Sequence, residues 1–342
     1  MTIQSVAVVI LNWNGKSWLE KFLPNVIHFL PNYAKLYIAD NASTDDSIAF
    51  LQNTYPSIQI IPLAQNYGFA KGYNEALKNL QEDVFVLLNS DIEVNSEWIQ
   101  PVINLMNSNP NIGACQPKIL DQKNKQLFEY AGASGGFIDY LGYPYCRGRI
   151  FNEIEIDEGQ YNDATPIFWA TGACMFVKNK VYWDAGGLDE DYFAHMEEID
   201  LCWRIQKLGF EIYVEPKAVV YHVGGGTLNK YSSQKTYLNF RNNLVTLLKN
   251  ANYKYFIITV LYKLILDGIA GVKFLFDGEF KHTWAVIKAH FTVYFQINYI
   301  LKKRKIIQQK CVIQTPKLIL NKSVVWKHFA LGINTFNDIH KN

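Results

Sequence analysis

Four side chains in this sequence can do chemistry and stand where a fold gathers ligands: Asp91, Glu197, Glu198 and His222. A carboxylate and an imidazole are donors for a small divalent cation, and oxygen ligands suit Mg²⁺ or Mn²⁺. A glutamate can take the proton of an attacking hydroxyl. Each also has a plainer reading. Alone, Asp91 is a helix cap, the paired glutamates complement a helix N-terminus, and a lone histidine is more often structural than a ligand.

The scaffold around them is legible as alternating strands and helices. Val84 to Leu88 is an apolar run that stops at Asn89-Ser90-Asp91. It reads as a buried strand of a parallel sheet, and ligands bind just beyond the carboxyl ends of such strands. Val6 to Leu11 is another strand, closed by Asn12-Trp13-Asn14-Gly15; Trp18, Leu19, Phe22, Leu23 and Val26 follow at helical spacing. Leu36 to Ala39 is a strand ending at Asp40-Asn41, with Ser43 or Thr44 as the cap of the next helix. Ile58 to Leu63 is a further strand, and Asn66-Tyr67-Gly68-Phe69-Ala70 opens another helix. This alternation predicts an α/β fold with a doubly wound parallel sheet. Asp40 then ends the second strand, where an acid accepts hydrogen bonds from a nucleotide's base or ribose. Neither Gly-x-Gly-x-x-Gly nor a Walker lysine motif follows the first strand, which argues against a dinucleotide dehydrogenase and a P-loop enzyme.

Beyond residue 95 the pattern loosens. Gly132 to Gly148 reads as a long loop of the kind that binds ligands. Thr171-Gly172-Ala173-Cys174 is a small-residue turn before an apolar strand. Glu197 and Glu198 open a helix whose core face is Leu201, Ile205 and Leu208. Their side chains project about 100° apart, so only one can enter a cleft. Two short strands, Ile212 to Val214 and Ala218 to Tyr221, lead to His222 and a glycine run at 224–226. Glycines there let backbone or phosphate come close.

The net charge is only +2, which argues against a general nucleic-acid binder, but it hides an asymmetry. Residues 251–342 carry 14 Lys+Arg against 4 Asp+Glu, whereas residues 1–250 carry 19 against 27. An acidic body with a basic tail predicts that the tail meets something anionic. The five cysteines are widely spaced with no Cys-x-x-Cys pair, and read as reduced thiols of a cytoplasmic protein. No basic-then-apolar leader opens the chain, so no signal peptide is expected.

Taken in order, these stretches resemble the inverting glycosyltransferases of family 2, and within them the bacterial rhamnosyltransferase-like branch. The matched pieces are Val8 to Gly15, Asp40 to Asp45, Asn66 to Ala70, Leu88 to Asp91, Thr171-Gly172-Ala173, Glu197 to Leu201 and Tyr221-His222. The resemblance implies a GT-A-type doubly wound mixed sheet and hexosyl or deoxyhexosyl transfer from a nucleotide sugar. It places Asn12, Asn14, Asp40, Asn41, Asn66, Gly68, Asn89, Ser90, Asp91 and Gly172 around the donor. Asn89-Ser90-Asp91 occupies the Asp-x-Asp metal motif, with Asn89 where the motif has its first Asp. Asp91 and His222 would hold Mg²⁺ or Mn²⁺. Glu197-Glu198 matches a Glu-Asp pair whose second member is the general base, so the likeness selects Glu198. The implied acceptor is a glycan or polyprenyl-linked intermediate of surface polysaccharide assembly. A nucleotidyltransferase acting on sugar phosphates and a non-catalytic nucleotide-sugar-binding protein are the rivals. The first lacks its Gly-rich basic loop here, and the second would have shed the acid cluster.

The division expected is a catalytic domain over 1–250 and a basic helical region over 251–342. Tyr253 to Phe276 is an apolar helix with one polar stripe, Lys263, Asp267, Ala270 and Lys273. Trp284 to Leu301 is a second helix ended by Lys302-Lys303-Arg304-Lys305. Charges at this spacing argue against a spanning helix. The expectation is either a hairpin packed on the catalytic domain or an anchor that meets anionic lipid through the basic cluster, peripheral on the inner face of the plasma membrane.

Overall fold

The structure is a computed structural model that describes residues 2–224, 232–252 and 256–341. Gly225, Gly226 and Thr227 of the glycine run, and Tyr253 at the start of the apolar helix, lie outside the described residues. The first half alternates strand and helix: β1 (Val6–Asn12), α1 (Lys16–His28), β2 (Ala34–Asp40), α2 (Ser47–Thr54), β3 (Gln59–Pro62), α3 (Gly68–Leu77) and β4 (Val84–Leu88). Every residue of β4 is buried, as an apolar strand covered on both faces must be. β1 pairs in parallel with both β2 and β4, and β2 with β3. Asn12, Asp40 and Asp91 therefore emerge along one edge, just past the strand ends.

The second half departs from the simple alternation. It comprises β5 (Ile92–Glu93), α4 (Gln100–Ser108), β6 (Ile112–Asp121), β7 (Gly136–Asp139), β8 (Pro144–Cys146), β9 (Arg149–Ile150), β10 (Glu153–Ile154), β11 (Thr165–Ile167), β12 (Cys174–Lys178), α5 (Asn179–Asp184), α6 (Glu197–Lys207) and β13 (Glu211–His222). The main sheet runs β11-β13-β6-β12-β4-β1-β2-β3, with β5 also on β13. It is mixed, as the family likeness implied: β1, β2, β3 and β4 are parallel, β13 is parallel to β6, and β12 and β11 run antiparallel to their neighbours. β12 enters antiparallel between β4 and β6 because the chain reaches it through a long excursion and not through a crossover helix. That excursion is ordered structure where the sequence reads as loop: residues 136–154 form the strands β7 to β10 of a small second sheet. The two short strands expected before His222 are one strand, β13, whose register against β6 shifts between Glu215 and Val219. The cap expected at Ser43 or Thr44 is absent. α2 begins at Ser47, and Asp45 Oδ1 accepts from the Ser47 amide at 3.1 Å.

The C-terminal third is helical: α7 (Ser233–Asn250), α8 (Phe256–Phe276), α9 (Phe280–Phe295) and α10 (Ile297–Lys310), then β14 (Ile319–Leu320), α11 (Val324–Phe329) and α12 (Phe336–His340). β14 adds to the small sheet in parallel with β7. The second helix of the expected hairpin breaks at Gln296, so the basic cluster lies inside α10 and does not end a helix. Two of its members turn inward. Lys303 reaches Asp189 and Asp191, each at 2.6 Å, and Arg304 donates to the Leu248 and Ala251 carbonyls at 2.9 and 2.5 Å.

The polar stripe of α8 faces the protein. Lys263 and Asp267 are each 1% exposed and 3.1 Å apart. The Tyr143 hydroxyl donates to Asp267 at 2.7 Å, and His290 stands 3.3 Å from its other oxygen. A buried charge left without its partner is costly, whereas exchanging a whole pair for apolar groups is often neutral. Asp267→Ala is therefore expected to cost about 3–5 kcal/mol in urea unfolding, and Lys263→Met/Asp267→Leu to recover most of that loss.

Candidate active site

Asp91 lies at the carboxyl end of β4 and His222 at the end of β13, brought together because Tyr221-His222 pairs with Ile92-Glu93. His222 Nε2 is 3.2 Å from Asp91 Oδ1. A third group, absent from the sequence reading, completes the arrangement: Glu129 Oε1 lies 3.2 Å from His222 Nδ1. All three are buried. Burial opposes the charge on His222, but the carboxylates of Glu129 and Asp91 on either side outweigh it and push its pKa up to about 10. Burial likewise opposes the charge on Asp91, yet His222 and the Gly224 amide hold its carboxyl below the usual range. Gly224 has a positive φ, and a Cβ there would meet Glu129 Oε1 at 3.0 Å, so backbone passes directly against this cluster.

Among the described residues, no three His, Cys, Asp or Glu side chains converge to cage an ion unaided. Asp91 supplies an oxygen, and His222, once an arriving cation displaces its Nε2 proton, supplies a nitrogen at an adjacent position. That donor set fits a divalent cation that takes its remaining ligands from a bound diphosphate and water. Nothing was available in sequence to find Glu129, which lies 93 positions from His222 on an irregular stretch after β6.

The residues expected around the donor form one hydrogen-bonded lattice across the strand ends. Asn12 Nδ2 donates to Asp40 Oδ1 and to Ser43 Oγ, both at 3.1 Å, and the Ser43 amide returns to Asp40 Oδ2 at 3.0 Å. Asn14 accepts from the Thr44 amide at 2.7 Å, and Asn41 donates to Asn66 Oδ1 at 3.0 Å. Asn66 Oδ1 also accepts from the Gly68 amide at 2.9 Å. Asn12, Asp40 and Asn41 are buried, Asn14 and Asn66 exposed, and Asn89 and Ser90 half-buried. Gly68 has φ +74, and a Cβ there would strike the Phe193 ring at 2.8 Å, so its place in this lattice is one of close packing.

Glu197 and Glu198 begin α6, as expected, but the helix is not one-faced. Ten of its eleven residues are buried, Glu198 being the half-open exception. Burial pushes the Glu198 carboxyl up to about 7, against hydrogen bonds from nearby backbone amides that favour its charge. Burial and the adjacent Glu198 raise Glu197 further. One side-chain oxygen of each, Oε2, has no hydrogen-bond partner among the described residues. Gly172 joins the two halves of the site. The Asn89 amide donates to the Ala173 carbonyl at 2.9 Å, and a Cβ on Gly172 would sit 3.8 Å from Glu198 Cβ. Two neighbouring acids are engaged elsewhere: Asp189 is bound by Lys249 and Lys303, and Asp200 by Arg204 and Lys249.

The chain enters α6 under strain. Phe193, His195 and Met196 all have φ between 60° and 73°, a region side chains with a Cβ seldom occupy. One side chain holds the turn. Buried Asn242 on α7 donates to the carbonyls of Tyr192, Ala194 and His195 at 3.2, 2.9 and 2.8 Å. Asn242→Ala leaves those carbonyls to relax the turn and misplace the glutamates. The expected outcome is a loss of about 1–3 kcal/mol in stability. A kcat lowered about tenfold should accompany it, with donor Kd unchanged by calorimetry.

Comparison with known proteins agrees with this geometry. Residues 7–186 match the model of glycosyl transferase family 2. The chain is 26% identical over 239 residues to N-acetylglucosaminyl-diphospho-decaprenol L-rhamnosyltransferase of Mycobacterium tuberculosis, covering 64% of this chain and 76% of that protein. It is 22% identical over 291 residues to the low-salt glycan biosynthesis hexosyltransferase Agl10 of Haloferax volcanii, covering 82% and 88%. Among solved structures it is similar in fold to GalNAc-T7 with UDP, GalNAc and Mn²⁺ (TM-score 0.57, 14% identity, 74% of this chain and 49% of that one). It is also similar to residues 1–349 of Staphylococcus aureus TarS (TM-score 0.51, 12% identity, 76% and 71%). The chain belongs to glycosyl transferase family 2 and is a glycosyltransferase with the GT-A fold.

Proposed function

We propose that the protein moves a sugar from a nucleoside-diphosphate sugar to a hydroxyl of a glycan or lipid-linked acceptor in surface polysaccharide assembly, with inversion. The observation that supports this reading is the pairing of Asp91 with His222 just past the end of β4, with half-open Glu198 against Gly172 in the turn whose Ala173 carbonyl accepts from the Asn89 amide. Asp40 and the asparagines around it receive the nucleotide; Asn89, Ser90 and Gly172 border the diphosphate and sugar. Asp91 and His222 would hold a divalent cation, which, when bound, neutralises the departing diphosphate.

The acceptor hydroxyl attacks the anomeric carbon from the Glu198 side, and its proton passes to the Glu198 carboxylate. The bond from that carbon to the diphosphate oxygen breaks on the Asp91 side. In-line displacement through an oxocarbenium-like transition state inverts the centre. A base near pH 7 is matched to this task. Residues 1–250 would carry the reaction and 251–342 bring it to its acceptor. A lipid-linked acceptor is supported by the rhamnosyltransferase relative, whose own acceptor is a diphospho-decaprenol.

Two experiments test the assignment. Asp91→Ala is expected to abolish Mn²⁺-dependent binding of UDP or dTDP in a thermal-shift assay; unchanged binding in both Asp91→Ala and His222→Ala would remove the metal role. Glu198→Gln is expected to lower kcat at least about 10²-fold with donor Kd nearly unchanged. In the wild type, the base must be ionised. The carboxyl is raised to about 7 in the free protein, so kcat/KM should fall as pH drops through that value and level off above it. Loss of turnover in Glu197→Gln alone would move the base to Glu197.

A further inference from the structure

α8 is built inside out. Its charged pair Lys263 and Asp267 is buried, while Ile258, Leu261, Ile265 and Ile269 are between 54% and 64% exposed; α9 packs Ala285, Val286, Ala289 and Val293 inward and leaves aromatic side chains outside. On α9, Trp284 is 65% exposed and Phe291 56%. A surface helix of a water-soluble domain shows the opposite arrangement, and contiguous apolar patches mark contact with a partner protein or a membrane.

Three observations select the occupant. Among the described residues no helix is long and apolar enough to cross a membrane, so these helices lie on a surface and do not span one. Within 256–310 six lysines are exposed, Lys273, Lys281, Lys288, Lys302, Lys305 and Lys310, against one exposed acid, Asp277, so a second copy would set like charge against like. Indole and phenol rings, Trp284, Tyr262 and Tyr294, are exposed on this face, and such rings settle at headgroup depth.

We propose that the α8–α9 face docks flat on an anionic bilayer and sinks its apolar side chains to the headgroup–acyl boundary. Insertion supplies the attachment and charge assists it, because Lys303 and Arg304 of the basic cluster are engaged inside the protein. α7, which carries Asn242, is tied to α9 through Tyr237 and Thr292, so the docked face and the turn before Glu197 share one support. The proposal rests on the reading of a lipid-linked acceptor, but its test needs no turnover.

The test is flotation of the full chain with vesicles of phosphatidylglycerol and phosphatidylcholine in equal parts. The wild type is expected to float, and to remain largely bound in about 1 M NaCl, where the Debye length is only about 3 Å. Ile258→Glu/Ile265→Glu/Phe291→Glu is expected to lower the partition coefficient at least about tenfold, with Tm and UDP binding unchanged. If that variant does not fold, Leu261→Gln/Trp284→Gln makes the same comparison. A wild type that stays at the bottom of the gradient overturns the proposal. So does complete release by salt, which would mean surface charge alone. A dimer in solution that the variant splits, with no vesicle binding, also overturns it and assigns the face to a second copy. Vesicle binding without transfer to a polyprenyl-linked acceptor leaves the docking standing and removes the acceptor reading.

Discussion

The antiparallel seam between β4 and β12 is the constraint on which the site depends. β4 belongs to the parallel half that ends in Asn12, Asp40 and Asp91; β12 begins the half that ends in the glutamate pair. Pairing Leu88 with Cys174 sets the end of one strand beside the start of the other. The turn before Cys174 must then be small, since a Cβ on Gly172 would crowd the Phe69 ring at 3.0 Å and sit 3.8 Å from Glu198 Cβ. A slip of one residue along this seam would reverse which side chains face the cleft. Asp91, just past the end of β4, and Gly172, against which Glu198 packs, are thus brought together by the backbone pairing of β4 with β12.

Around that seam the protein buries charge where a stable core would bury carbon. His222 stands between two carboxylates, and Glu197 and Glu198 have oxygens with no hydrogen-bond partner among the described residues. Desolvation of this kind disfavours the ionised glutamates and raises their pKa. The three left-handed residues before α6 add backbone strain at the same place. Both costs are tolerable because the turn is over-determined from α7 by one amide. The helix beyond it is locked by the buried Asp200, Arg204 and Lys249. Perturbed acids and strained backbone coincide where a reaction would need them.

The C-terminal helices follow the same rule in reverse. Asp267 on α8 pairs inward with Tyr143 and His290, and Lys303 on α10 with Asp189 and Asp191, while apolar side chains of α8 and α9 remain outside. A stripe such as Lys263 and Asp267 is visible in sequence as a polar face, and a polar face is ordinarily placed toward water. Here the partner that satisfies it lies on the loop between β7 and β8, some 120 residues earlier in the chain.

What could be read from the residues in order was local and periodic. The apolar run of β4, the acids at the ends of β2 and β4, the small turn at Gly172 and the start of α6 at Glu197 all appear where expected, because each is set by neighbours within a few positions. The mixed sheet and the nucleotide half followed from family likeness. Long-range pairing lay beyond that reading. It made strands of residues 136–154 and fused two short strands into β13 across a register shift. It also brought Glu129 to His222 and Asn242 to the strained turn, across 93 and 48 positions. Which face of α8 is inside was settled the same way, since hydropathy periodicity locates a face but not its neighbour. Side-chain partners at such separations are chosen by the packing of the whole chain, and no window of sequence contains both members.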